Sequence, residues 1–349
     1  MMNIRKLHPG VYIKDALEAM EMSAKEFSLR TGISERTLSA IINAKGDITF
    51  EVAYKLSQFF DDTVNFWINL QNQYSLYLKE EEKKQSILND WNLIKNIKKY
   101  LLINNYISSE DDIETIVHKV RKLVGVTNLT LLDRENSFIC FKQHKTAYNQ
   151  NSFLQNFWIA LALNEARKNN CNTYNKNKLK SSINEIRALM FLEPDIFYPR
   201  IKEIFNDCGI NFIILPYLSK SNIYGVTKWF SKDNVMIAVS NRGGKADLFW
   251  FTIFHEISHV LMEHRRDVLV NEDGEKDNEA DQMASNLLIP KEKWDEFINN
   301  NVFTPESIDS FSKKVGVLPC IVLGRLHKEK DEIIPYGKYD SIFNVTYNI

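Results

Sequence analysis

Glycine and proline are scarce in this chain. Twelve Gly and eight Pro in 349 residues are too few for a turn-rich β fold and favour long helices. An excess of one charge is also missing. The 44 Lys/Arg and 45 Asp/Glu leave a net charge of −1, so no global basic field points to nucleic acid. No apolar run approaches the roughly 18 residues of a membrane span, and Met1 to Gly10 has no apolar stretch of the secretory kind. The four cysteines, Cys140, Cys171, Cys208 and Cys320, are scattered, with no CxxC pair and no disulfide-like spacing. They read as reduced thiols, and the chain as a cytoplasmic protein. Gly243-Gly244-Lys245 lacks the earlier Gly and the following Ser/Thr of a phosphate loop. No internal repeat is present.

What the chain has is enough apolar material for real cores, 44% hydrophobic and 12% aromatic, and a length that suggests two or three domains. Residues 10–78 read as a compact helical domain. Val11 to Met20 is a first helix. Ser23 and Glu26 form a capping box that opens a second. Thr31-Gly32-Ile33 is a tight turn, and Ser34 caps a third helix, Glu35 to Asn43, with Leu38, Ile41 and Ile42 inward. Two further helices follow, from Thr49 to Phe60 and from Val64 to Leu78. Short helix, glycine turn and short helix make a helix-turn-helix, whose second helix enters the major groove of DNA. Its polar groups are Glu35, Arg36, Thr37, Ser39 and Asn43, with Lys45 just beyond. Arg36 is suited to reading guanine, and Thr37 or Ser39 to touching phosphate. Residues 1–80 hold 9 Lys/Arg and 10 Asp/Glu, so any DNA affinity must come from a local patch or from dimerisation. A bundle used only for protein contact is the plain alternative.

Lys79 to Lys84 is a charge run, read as a solvated helix surface or a linker. Residues 86–124 and 151–170 have helical periodicity, and Asn169 to Lys180 reads as a surface loop. Further on, Ile183 to Phe191 and Phe197 to Cys208 are helical. Asn211 to Leu215, Gly225 to Phe230 and Val235 to Ser240 are strand candidates, with a turn at Asp233-Asn234.

The chemistry is carried by residues 255–259, His-Glu-Ile-Ser-His. An HExxH pattern would arise by chance in roughly one such chain in a hundred, so its context matters. Phe251, Phe254, Ile257, Val260 and Leu261 recur at helical spacing around it, as in a buried helix with one polar face. Histidines four apart lie on one face, one turn apart, and both can reach a single Zn²⁺. Glu256 can act beside them as general base and then acid in hydrolysis of a peptide bond. A third protein ligand is required. Met262 and Arg265 stand where the metzincin pattern needs Gly and His. Glu279, at the start of the next helix, is the first choice. Its competitors are His264, Glu263, Asp267, Glu275, Asp277 and Asp281. His264 lies about 500° around a continuous helix from His259 and so faces away. Asp281, about 200° from Glu279, cannot easily share the metal with it and reads as a supporting residue or simply as a helix-start charge.

Two resemblances join these readings. Phe249 to His259 and Asn278 to Pro290 resemble the ImmA/IrrE metallopeptidases over residues 150–335. The second segment is similar to that family's Glu-Ala-Asn/Asp helix ending in Leu-Leu-x-Pro, whose Glu is the third zinc ligand, and this implies Glu279. Ser258 replaces the family's usual Gly, and Leu318 stands where relatives often carry His. His8-Pro9-Gly10 through Ser34, Asn43-Ala44-Lys45 and Asn65 to Gln71 resemble HigA-type antitoxins of the Xre/Cro helix-turn-helix class. That resemblance implies a homodimer bound to a double-stranded operator.

The expected architecture is mainly α, with a small α+β, zincin-like metallopeptidase domain. A helix-turn-helix domain covers 1–80, a helical linker region 81–150 and the metallopeptidase domain 151–349. The expected function is a zinc-dependent regulatory endopeptidase, one Zn²⁺ per chain, that cuts a repressor or antitoxin-like protein. A DNA-binding repressor whose metal domain only senses or scaffolds is the alternative. Val235 to Ser240 is the expected edge strand for substrate. Tyr224, Arg325 and His327 are the groups available to an oxyanion, each with a plain structural reading as well.

Overall fold

A computed structural model describes residues 7–133, 150–169, 172–265 and 275–347. It divides into two compact units, Met1–Asn92 and Leu93–Ile349. Within the described residues the fold is mainly helical, with one small sheet.

The first unit contains α1 (Pro9–Ala19), α2 (Ala24–Thr31), α3 (Glu35–Ile42), α4 (Phe50–Phe60) and most of α5 (Val64–Ile94). Its helices start where side chains satisfy the free backbone N–H groups. His8 Nδ1 accepts from the Gly10 N–H at 2.9 Å, Ser23 Oγ from Glu26 and Ser34 Oγ from Thr37. Gly32, at φ +65°, ends α2 in the left-handed conformation that glycine adopts without strain. Ile13, Leu17, Phe27, Leu38, Ile41, Leu56 and Trp67 form one core. Gly10 brings α1 so close to α3 that a Cβ there would lie 1.9 Å from the Ile41 carbonyl oxygen. Gln71 fixes the loop after α3: its Oε1 accepts from the Ile48 N–H at 3.0 Å and its Nε2 donates to Asp47 at 2.9 Å.

Helix α5 runs unbroken through the charge run at 79–84, so the compact units divide at 92/93 rather than at 80. The second unit opens with α6 (Lys98–Ile103), α7 (Ile113–Val124) and α8 (Gln150–Lys168). Residues 93–133 pack within this unit instead of forming a separate linker. Helix α9 (Lys176–Ala188) begins inside the stretch expected to be a loop, because Asn175 Oδ1 caps it through the Lys178 N–H. Helix α10 (Pro194–Asp207) leads into the sheet.

The strands are β1 (Ile210–Leu215), β2 (Gly225–Ser231) and β3 (Asn234–Ser240), in the order β1-β3-β2. β3 pairs parallel with β1 and antiparallel with β2. The strand expected at the edge is therefore the central one. Its unbroken run Val235 to Val239 is buried on both faces, as a central strand requires. Helix α11 (Ala246–Leu261) lies against β2 and β3 with Trp250, Ile253, Phe254 and Ile257 fully buried. Its start is tied to the C-terminal segment, where Ala246 N–H donates to Val345 at 2.8 Å. Then follow α12 (Glu275–Leu288), packed on α11, and α13 (Lys291–Asn299), α14 (Pro305–Val315), α15 (Pro319–Glu329) and α16 (Asp340–Phe343). No described helix is long and apolar enough to cross a membrane.

Candidate metal centre

The HExxH residues sit on α11 where the helix passes beneath β2. His255 and His259 project from one face, and their Nε2 atoms are 3.0 Å apart. Asp277, near the start of α12, completes the group: its Oδ1 lies 3.2 Å from His259 Nε2. Among the described residues, His255, His259 and Asp277 are the cluster whose ligand atoms all fall within 4.8 Å of one another.

Glu279 is not part of this group. It is exposed, whereas Asp277 is 9% exposed. Two helical positions turn a side chain by about 200°. With Ala280 and Ala284 packed inward, Asp277 and Asp281 face α11 and Glu279 faces away. Asp267 lies outside the described residues.

Each histidine is held by its other ring nitrogen. His255 Nδ1 donates to Asp281 Oδ1 at 2.7 Å, and Asp281 Oδ2 accepts from Lys328 Nζ of α15 at 2.6 Å. His259 Nδ1 lies 2.8 Å from His264 Nδ1. His264 was expected to face away, but α11 stops at Leu261 and the chain folds back. With both Nδ1 positions engaged, the two Nε2 atoms and a carboxylate oxygen face one another. Such an electron-rich triangle calls for a cation. A tetrahedron with metal–ligand distances of about 2.0–2.1 Å has edges of about 3.3 Å. The donor set fits Zn²⁺ in type, number and spacing, with two imidazoles and a carboxylate from the protein.

Glu256 is 2% exposed and its Oε2 accepts from Thr227 Oγ1 of β2 at 2.6 Å. Gly225, at the start of β2, gives the carboxylate its room: a Cβ there would lie 2.4 Å from Glu256 Oε1 and 2.8 Å from Thr252 Cγ2. Burial pushes the Glu256 carboxyl up, opposed by the two histidines and the Thr227 hydroxyl. Burial disfavours charge on His255, but the hydrogen bond to Asp281 and the neighbouring carboxylates outweigh it and raise its pKa. At Asp281 burial is outweighed by hydrogen bonds from His255 and Lys328, which hold the carboxyl below its ordinary value. Ser258 fits fully buried, its hydroxyl donating to the Phe254 carbonyl at 2.7 Å. Sequence reasoning passed over Thr227, Gly225 and Lys328, all remote along the chain from the motif.

A cavity of about 320 Å³ lies along the N-terminal half of α11, walled by Leu248, Phe251, Leu288, Ile321, Leu323 and Phe343. Phe251 is one turn before His255 and their ring centroids are 6.5 Å apart. Of the groups considered for an oxyanion, Arg325 donates to Ser285 and Ile289 carbonyls and stacks on Trp294. His327 is 5% exposed and bonded to the Lys338 carbonyl. Tyr224 stacks under Arg242. All three have structural employment.

In the first unit, Arg36, Ser39, Asn43 and Lys45 are exposed on and just beyond α3. Thr37 is half-buried and its hydroxyl contacts Ser34 Oγ at 2.8 Å. Asn43 Nδ2 donates to the Ser39 carbonyl at 2.8 Å. Arg36 and Lys45 are thus the freest to reach outward.

Residues 13–63 match the helix-turn-helix family, and residues 206–327 match the IrrE N-terminal-like domain, a peptidase family by name. The HTH-type transcriptional regulator YbaQ of Escherichia coli K12 is 30% identical over 94 residues, 27% of this chain and 81% of that one. The chain belongs to the helix-turn-helix regulators and carries an IrrE-like second domain. A second regulator of the same bacterium, YddM, is 35% identical over 68 residues, 20% of this chain and 72% of its own. The antitoxin HigA of Pseudomonas aeruginosa, solved with the higBA promoter, is 28% identical, covering 24% of this chain and 90% of that one at a TM-score of 0.23. For this helix-turn-helix and IrrE-like chain, the two family matches fall in different compact units.

Proposed function

We propose that the second unit is a zinc-dependent endopeptidase that cuts a regulatory protein, and that the first unit binds operator DNA. The observation that carries the reading is the triangle of His255 Nε2, His259 Nε2 and Asp277 Oδ1 beside the buried Glu256. Zn²⁺ bound there would supply a Lewis acid that acidifies water and polarises the scissile carbonyl. Glu256, steadied by Thr227 and raised by burial, takes the proton from the attacking water and hands it to the leaving amine. Asp281 and Lys328 hold His255 in place. Among the described residues β2 is an edge strand, and its edge, which carries Gly225 and Thr227 next to Glu256, suits an extended substrate backbone better than β3, which has neighbours on both sides. The apolar cavity beside Phe251 suits an apolar substrate side chain.

The test is cleavage of a co-encoded regulator by the purified full chain with zinc present. Cut fragments are expected with the parent and none with Glu256→Gln. Equal silence from both on every neighbouring regulator would sink the peptidase reading. The second reading, a repressor whose metal domain only scaffolds, is favoured by the named regulators among the relatives. It predicts operator binding without any cleavage.

A further inference from the structure

We infer that His264 is a positioning residue for the candidate metal centre, accepting the His259 Nδ1–H and so aiming His259 Nε2 at the ion. This rests on the metal reading proposed above. The end of α11 is built for it. His264 N–H donates to the His259 carbonyl and Glu263 N–H to the Val260 carbonyl, both at 3.1 Å. These two bonds, with a left-handed residue between, form the motif that closes many helices. Glycine usually takes the left-handed position, where other residues carry a cost of about 1 kcal/mol or more. Here it is Glu263, at φ +57°. Its carboxylate is held by Lys176 at 3.4 Å and Arg265 at 3.0 Å, and the Arg265 guanidinium lies 4.6 Å from the Trp229 ring of β2. The turn is therefore clamped to neighbouring elements.

In this motif the residue after the left-handed one meets the side chain five positions earlier, commonly through an apolar contact. In this chain those two residues are His264 and His259, and the contact is a hydrogen bond of 2.8 Å between Nδ1 atoms. Two nitrogens so close share one proton. For His259 to offer Nε2 as a lone pair, the proton must sit on its Nδ1, and His264 Nδ1 must accept it. His264 meets the far side of the His259 ring, so it acts through His259 and is not itself a ligand. The two candidate ligands are thus held differently, His255 by a carboxylate and His259 by an imidazole.

The test is zinc affinity of the full chain, measured by competition with a chromophoric chelator, for the parent, His264→Phe and His264→Asn. Phe keeps an aromatic ring without an acceptor, and Asn offers Oδ1 close to where Nδ1 stood. We expect His264→Phe to weaken zinc by about 10- to 100-fold and to alter the visible spectrum of the Co²⁺ form, with Asn restoring most of the affinity. Parental affinity and spectrum in His264→Phe would overturn the inference. Equal weakness of Phe and Asn, each with a parental melting temperature, would overturn it too, because packing rather than the acceptor would then matter. Zinc bound by none of the three, the parent included, would remove the metal reading itself, a different and recognisable result.

Discussion

Asp277, Asp281 and Glu279 lie within five residues on one helix, yet losing each has a different consequence. Asp277→Ala removes a candidate ligand, so bound zinc in the purified chain is expected to fall from about one ion to a small fraction. Glu279→Ala leaves an exposed position and is expected to retain zinc fully; metal analysis of both variants decides between them. Asp281→Asn keeps a hydrogen-bond acceptor but loses the charge between His255 and Lys328, and should weaken zinc by about 10- to 100-fold. At Gly225→Ala the added methyl collides first with Glu256 and Thr252, neither of them a candidate ligand. Zinc is expected to stay while cleavage of the regulator falls about a hundred-fold, the cost of a misplaced catalytic group. His255, Glu256 and His259 were legible because their spacing is itself the chemistry. Asp277 was legible in principle, since positions 277, 280, 281 and 284 keep the helical period of a buried face. Glu279 was put first for its place at the start of the next helix, and the resemblance to the Glu-Ala-Asn/Asp helix reinforced that choice over the period. Gly225, Thr227 and Lys328 could not be found, because only the fold brings them to α11.

Helix starts were readable wherever Ser23 and Ser34 offered caps, and β1 to β3 were placed to within a residue or so. The errors came at ends and neighbours: α11 was continued past a left-handed Glu263, and β3 was set at an edge although Val235 to Val239 carries no polar face. Helix contact in the first unit yields a sharper expectation. Because a Cβ at Gly10 would lie 1.9 Å from the Ile41 oxygen and 2.6 Å from its carbon, the obstacle is backbone and cannot yield. Gly10→Ala should force α1 off α3 at a cost of about 1–3 kcal/mol, seen as faster hydrogen exchange in α1 and α3 peptides of the full chain. Unchanged exchange there would mean the helices are not in the contact described. At the start of α15, burial and then Asp247 push the Cys320 thiol up to about 12. The thiol stays protonated at neutral pH, so peptide mapping after alkylation should find Cys320 unmodified in the folded chain and modified once it is unfolded.

Each compact unit has its own hydrophobic core, and the candidate metal centre lies wholly in the second. Every group that would hold zinc comes from α11 and α12, and every group proposed to touch DNA comes from α3 or just beyond it. The two activities should therefore separate by substitution. Near-equal charge over residues 1–80 leaves little for long-range attraction, so operator affinity would rest on Arg36 and Lys45, on and just beyond α3. Arg36→Ala is expected to cost about 1–3 kcal/mol at its operator and to relax sequence preference, while Lys45→Ala should weaken binding uniformly and lower the salt slope by about one. Glu256→Gln and Asp277→Ala should leave operator affinity at the parental value, measured at one fixed salt concentration. If removing zinc or replacing Asp277 instead loosened DNA, occupancy of the metal centre would itself be read by the first unit. The scaffold reading would then gain over an independent peptidase.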